Sequence, residues 1–210
     1  MRKIRVLLAD DHRMFLAGLQ KLIEMDFEVA AVVSDGREMV LAAETLKPDV
    51  IVADISMPSL NGIDAAVHLR ANGCKSRLIF LTMHGDSIFL QGAMRAGAAG
   101  FVLKRDAPDT LLFAIRQVAQ GKTYVTADVL AGDPPVACVL PDRPLGKLTS
   151  RQREVLQLVA EGSTLKEIAS ALDVSVKTAE FHKSRLLRRL GVRSGAELAA
   201  IAIRHGLISG

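Results

Sequence analysis

The sequence predicts an α/β domain with a doubly wound parallel sheet, followed by a small all-α domain. Three observations carry that prediction. Within residues 1–122, five short apolar runs alternate with five segments of helical spacing. Residues 123–146 lose the pattern and collect Pro134, Pro135, Pro141 and Pro144. From Lys147 onward the apolar spacing is helical.

The first run, IRVLLA (4–9), ends in Asp10-Asp11, and FEVAAVV (27–33), DVIVAD (49–54), RLIFLT (77–82) and AGFVLK (99–104) follow. Runs that are apolar on both faces suit strands of a parallel sheet covered by helices on both sides. Between them, 13–25, 36–46, 62–71, 86–96 and 107–120 have helical spacing. Alternation of this kind defines a doubly wound sheet, and right-handed crossovers leave few topologies. The flavodoxin-like order 2-1-3-4-5 sets the first and third strands side by side, about 4.7–4.9 Å apart. In 123–146, Gly132, Asp133-Pro134-Pro135 and Gly146 read as a linker, with room for a short helix near 126–131. Beyond it, Thr149 or Ser150 caps a helix through 160 that ends at Glu161-Gly162. Ser163 or Thr164 caps a second over 165–172, Ser175 a third over 176–190 closed by Gly191, and Ser194 a fourth over 195–205. Two short helices, a tight turn and a longer basic helix make a helix-turn-helix. The expected domains are therefore 1–122, a linker 123–146, and 147–210.

Composition narrows the class. Half the residues are hydrophobic and 24% are charged, which describes a globular chain. The N-terminal apolar stretch is too short and too charged for a signal peptide, and no run approaches a membrane span. Cys74 and Cys138 lie far apart, without metal-site spacing, so a reducing, cytoplasmic setting is expected. The net charge is +4, unevenly spread: residues 147–210 hold 11 Lys and Arg against 6 Asp and Glu. That excess points to a polyanionic partner for the C-terminal domain.

In an open parallel sheet, functional groups gather at the carboxyl ends of the strands. Asp10 and Asp11 end the first strand, Asp54 the third, Thr82 the fourth and Lys104 the fifth. Taken singly, Asp10-Asp11, Thr82 and Lys104 read as ordinary strand-end or turn chemistry, while Asp54 alone stands evenly between a turn residue and a nucleophile; all five at one edge form a constellation. Clustered carboxylates suit Mg²⁺. A carboxylate beside it can attack a phosphoryl group, while a hydroxyl and an ammonium bind the transferred oxygens.

Asp10-Asp11, Asp54 with Met57-Pro58 and Gly62, Thr82, and Gly97-Ala98 through Lys104 resemble the receiver domain of bacterial two-component response regulators. The resemblance implies that Asp54 is the phospho-acceptor. It implies that Asp10, Asp11 and Asp54 hold Mg²⁺ with the Ser56 backbone carbonyl, and that Thr82 and Lys104 read the phosphoryl group. Phe101 falls where the family has an aromatic that changes orientation with Thr82. Ser56 and His84, two residues after the acceptor and the Thr, stand where the family tunes hydrolysis of the acyl phosphate. Gly92 lowers the helix propensity of the fourth segment by about 1 kcal/mol relative to Ala, which suggests a looser helix.

On a helix over 176–190, Ala179, Leu186, Leu187 and Leu190 share one side, while Lys177, Phe181, Ser184 and Arg188 share the other. Lys177, Thr178, Glu180, Phe181 and Ser184 are expected near DNA bases, and Lys183, Arg185 and Arg188 near the backbone. The stretch from Leu148-Thr149 through Leu190-Gly191-Val192 resembles the LuxR/NarL helix-turn-helix, with Leu165 and Ala179 as departures from the usual Asn and Val. The resemblance implies dimerisation through the last helix, near Glu197 to Arg204, where Ala199, Ala200 and Ile203 can serve.

Together these features identify a NarL/FixJ-type response regulator. Its expected partners are a sensor histidine kinase or a small-molecule phosphoryl donor, promoter DNA, and a second copy of the chain when active, with no membrane. One alternative is a regulator that works without phosphorylation, its receiver serving only to dimerise. Another is an aspartyl-phosphate phosphatase. Such an enzyme carries an acid two residues after the nucleophile, where this chain has Ser56.

Overall fold

The computed structural model describes residues 2–83, 87–106, 108–126, 148–204 and 207–208. They form two compact units.

The first unit alternates β1 (Arg5–Ala9), α1 (Arg13–Glu24), β2 (Glu28–Val33), α2 (Gly36–Leu46), β3 (Val50–Ala53), α3 (Gly62–Ala71), β4 (Arg77–Thr82), α4 (Ser87–Arg95), β5 (Gly100–Leu103), α5 (Pro108–Ala119) and β6 (Tyr124–Val125). All strands pair in parallel. The five expected strands stand in the expected order, and the two-residue β6 extends the sheet to β2-β1-β3-β4-β5-β6. Two residues carry no periodicity, so this sixth strand is invisible to pattern reading, and the sheet runs past the boundary expected at 122.

Both sheet faces are buried. Val6, Leu8, Val50, Val52, Ile79, Leu81 and Val102 pack with Leu16, Leu19 and Ile23 of α1 and Leu111, Ile115 and Val118 of α5. The alternate residues Leu7, Ile51, Phe80 and Phe101 are equally buried and point to the other face. At Gly92 a Cβ would stand 3.1 Å from the terminal methyl of Ile63 in α3, a tight contact that a small shift of that side chain relieves.

The second unit comprises α6 (Ser150–Ala160), α7 (Leu165–Ala171), α8 (Val176–Leu190) and α9 (Gly195–Arg204). Thr149 and Thr164 cap α6 and α7 through capping boxes with Gln152 and Glu167, and Ser175 caps α8. Gly191 ends α8 in the left-handed conformation, φ +68°, as a closing glycine does. Val155, Leu156, Ile168, Ala179, Leu186, Leu198 and Ala202 form the core. Leu165, which replaces a usual polar residue, packs against it. On α9, Ala200 and Ile203 face outward while Leu198 and Ala202 turn in. Most of the expected linker and its short helix, together with His84 and the end of the fourth helix at 205, lie outside the described residues.

Candidate functional site

The register of the sheet builds the site. Ala9 of β1 pairs with Ala53 of β3, so Asp10 and Asp54 leave adjacent strands at the same level. The Asp54 amide donates to the Ala9 carbonyl at 2.8 Å and carries the pairing one step further. On the other side Thr82 pairs with Leu103, and the Lys104 amide donates to the Thr82 carbonyl at 2.8 Å. Both strand ends thus finish at the carboxyl edge.

Lys104 ties the edge together. Its ammonium lies 2.7 Å from Asp10 Oδ2 and 2.6 Å from Asp54 Oδ2, with all three side chains almost wholly buried. The Phe15 ring lies 5.0 Å from the same nitrogen. Asp54 Oδ1 accepts the Ile55 amide at 2.7 Å. Burial pushes the Asp54 carboxyl above the usual carboxylate range, against the opposing pull of Lys104. Burial also works to lower Lys104, but the charges and hydrogen bonds of Asp54 and Asp10 carry it above the ordinary lysine value. Asp11 is about a third exposed, and its buried Oδ1 accepts no hydrogen bond.

The loop after Asp54 is shaped by backbone geometry. Ser59 adopts φ +64°. The Gly62 amide returns to the Ile55 carbonyl at 2.8 Å. Asn61 caps α3 by accepting the Asp64 amide at 2.9 Å, while its own amide group donates to Asp64 Oδ2 at 2.8 Å. Ser56 lies buried in this loop.

The expected residues divide clearly. Asp10, Asp11, Asp54 and Lys104 come together, and Ser56 follows directly in the loop. Thr82 is fully buried at the end of β4, next to the strand that carries Lys104. Phe101 is also fully buried; it pairs with Phe80, so it shares a sheet face with Thr82, diagonally across β4 and β5. Sequence reasoning missed His12, whose Nδ1 lies 2.7 Å from Asp11 Oδ1 and 3.2 Å from Asp10 Oδ1. The run Asp10-Asp11-His12 held that signal.

One ligand atom each from Asp10, Asp11, His12 and Asp54 lie within 4.8 Å of one another. An oxygen-rich cluster with an unused buried carboxylate oxygen fits a divalent cation. In the second unit, α8 presents Lys177, Glu180, Phe181, Ser184, Arg185 and Arg188 to solvent, while Thr178 and Lys183 are half-buried. Phe181, Arg185, Arg188 and Arg189 line one shallow concavity.

The described residues thus hold a carboxylate cluster closed by a lysine at the edge of a doubly wound sheet, and a capped basic helix in a separate all-α unit. The chain matches the response regulator receiver domain over residues 6–116 and the luxR family of bacterial regulatory proteins over 146–202. It belongs to the response regulator family, with a LuxR-type C-terminal domain. It is 39% identical over 194 residues to the nitrate/nitrite response regulator protein homolog of Haemophilus influenzae, covering 91% of this chain and 92% of that protein. The Salmonella typhimurium RcsB response regulator, solved in work on conformational dynamism for DNA interaction, superposes with a TM-score of 0.62 at 28% identity, over 95% of this chain and 96% of that one. A structure of two RcsB dimers bound to two parallel DNAs superposes with a TM-score of 0.60 at 26% identity, over 95% and 98%. Among the described residues no helix is long and apolar enough to cross a membrane.

Proposed function

We propose that this response regulator is switched by phosphorylation of Asp54 and then binds promoter DNA as a dimer through α8. The observation that carries the reading is Lys104, held between Asp10 and Asp54 at 2.7 and 2.6 Å. A buried ammonium on two carboxylates marks the place where extra negative charge is accommodated.

An Asp54 oxygen forms the new bond to phosphorus as the bond to the donor breaks, at a kinase histidine nitrogen or at the acyl oxygen of a small phosphoryl donor. Lys104 moves from the Asp54 carboxylate to a phosphoryl oxygen, and the Thr82 hydroxyl donates to another. Asp10, Asp11, Asp54 and the Ser56 backbone carbonyl would hold Mg²⁺, which would supply positive charge to the transferring group. Phosphorylation adds about −1.5 to −2 charges. Drawing Thr82 toward them alters the packing of Phe101 on the same sheet face, and this biases the receiver between two states.

In the C-terminal domain, Lys177, Thr178, Glu180, Phe181 and Ser184 read bases from the N-terminal part of α8. Lys183, Arg185 and Arg188 hold phosphates. Ala199, Ala200 and Ile203 of α9 pair two copies. The RcsB dimers bound to DNA support, by likeness, a dimeric DNA-binding mode. The residues between the two domains act as a linker, and the chain works in the cytoplasm as a regulator without turnover. Ser56, at the position where a phosphatase of this kind has its leaving-group acid, disfavours the enzymatic reading.

Acetyl phosphate with Mg²⁺, followed by Phos-tag electrophoresis, tests the acceptor. Wild type shifts and Asp54→Asn does not. An equal shift in both removes Asp54 from the role.

A further inference from the structure

We propose that His12 adds a nitrogen ligand to the acidic cluster and tilts its divalent-metal preference from Mg²⁺ toward borderline first-row ions such as Ni²⁺. The inference rests on the reading of that cluster as a metal site.

His12 occupies the N-cap position of α1 but makes no side-chain capping bond. Ser, Thr, Asp or Asn at this position would ordinarily serve the helix. The ring instead turns to the carboxylates. Its Nδ1 lies 3.2 Å from Asp10 Oδ1, a hydrogen bond, and 2.7 Å from Asp11 Oδ1. The His12 amide also donates to Asp10 Oδ1 at 2.9 Å and anchors the residue over the cluster. Asp11 Oδ1 is buried and accepts no hydrogen bond, so a short contact with a ring nitrogen leaves it unsatisfied. Two donors on opposite sides of one ion stand at most about 4.2–4.4 Å apart, given ligand bonds of about 2.0–2.2 Å. The four donor atoms lie within 4.8 Å of one another. The set is slightly wider than one ion needs, so binding would draw the donors in and move the Lys104 ammonium off Asp10 and Asp54.

The nitrogen decides selectivity. Carboxylates, carbonyls and water suit Mg²⁺, whereas imidazole suits Ni²⁺, Cu²⁺ and Zn²⁺. Mg²⁺ keeps waters and gains little from a ring nitrogen. A borderline ion would take His12 Nδ1 in place of a water ligand. The ring is 61% exposed, so it can swing onto an ion without disturbing the core.

The test uses the metal-stripped full chain and dye competition with Mg²⁺ and with Ni²⁺, on wild type, His12→Ser and Asp11→Asn. Ser preserves N-cap chemistry, and thermal melts confirm the fold; His12→Gln is the second variant should Ser disturb α1. His12→Ser is expected to weaken Ni²⁺ by about tenfold or more, the loss that even an outer-shell partner causes. Mg²⁺ affinity stays within about twofold. Pulsed EPR at one equivalent of Cu²⁺ shows imidazole nitrogen modulation in wild type and not in His12→Ser. Equal losses for both metals, or an unchanged Ni²⁺ affinity, overturn the role of His12. Mg²⁺ binding that is indifferent to Asp11→Asn overturns the metal-site reading beneath it.

Discussion

A Cβ at position 62 would lie 2.1 Å from the Asp54 carbonyl oxygen and 3.0 Å from Phe80. The loop that presents Asp54 therefore closes only around glycine. Gly62→Ala is expected to cost at least about 1–3 kcal/mol, as overpacking does, with a matching fall in the urea midpoint; a change under about 0.5 kcal/mol contradicts the tight approach. Lys104 sits at the opposite extreme, a buried charge with two buried partners. Lys104→Met leaves both carboxylates without their counter-ion and is expected to cost about 3–5 kcal/mol in metal-free buffer. Added Mg²⁺ should restore part of that, because it takes over the neutralisation; equilibrium unfolding with and without Mg²⁺ measures both effects. At this scale the sequence was informative about identity and silent about contact. Asp10, Asp11, Asp54, Thr82 and Lys104 were legible because strand ends are readable from where apolar runs stop. That a single ammonium bridges Asp10 and Asp54, or that His12 turns back onto Asp11, depends on rotamers and register that no spacing encodes.

The elements were legible almost to the residue wherever a local signal marks the end. Thr149, Thr164 and Ser175 accept the amides that start α6, α7 and α8, and Gly191 ends α8 with a positive φ. The strands inside the sheet were legible because both faces are buried, which makes the runs continuous. β6 was not, since two residues at an edge have no pattern and gain their structure from pairing with Gly100 and Phe101. The caps make separable predictions. Thr149→Ala and Thr164→Ala should each cost about 0.5–2 kcal/mol. Glu167 adds a pH dependence, because the Thr164 amide and hydroxyl bonded to its carboxylate hold it below the ordinary glutamate value of 4.5. A lowered folded pKa means the contribution is complete above that ordinary value and is lost as pH falls through the folded one. Glu167→Gln should therefore be less stable than wild type at neutral pH, with the gap closing in acid. A gap that stays constant from neutral to strongly acidic pH contradicts the box. Thr149, paired with the neutral Gln152, provides a comparison in which no such closing is expected.

For the whole molecule, charge and fold divide the labour. The acidic cluster lies in the receiver, and the cationic excess of 11 Lys and Arg over 6 Asp and Glu lies in residues 147–210. The family assignment was legible because each half carries its own dense motif. The linker shows in the sequence only as an interruption, since proline-rich stretches carry no periodicity, and most of it lies outside the described residues. If α8 enters the major groove as proposed, Arg185→Ala and Arg188→Ala should each reduce the slope of log K against log salt by about 1. Lys177→Ala should instead cost about 1–3 kcal/mol on the preferred sequence and relax the preference there. Titrations at several salt concentrations separate the two effects, and an unchanged salt slope in the arginine variants would move the phosphate contacts elsewhere. The central claim joins the two halves: charge placed on Asp54 alters what α8 does on DNA. Footprinting on target promoter fragments, with and without acetyl phosphate and Mg²⁺, tests it most directly. Wild type should gain protection over two half-sites a whole number of helical turns apart when the donor is added, and Asp54→Asn should not respond. A wild-type footprint of the same extent and strength in both conditions would contradict the account.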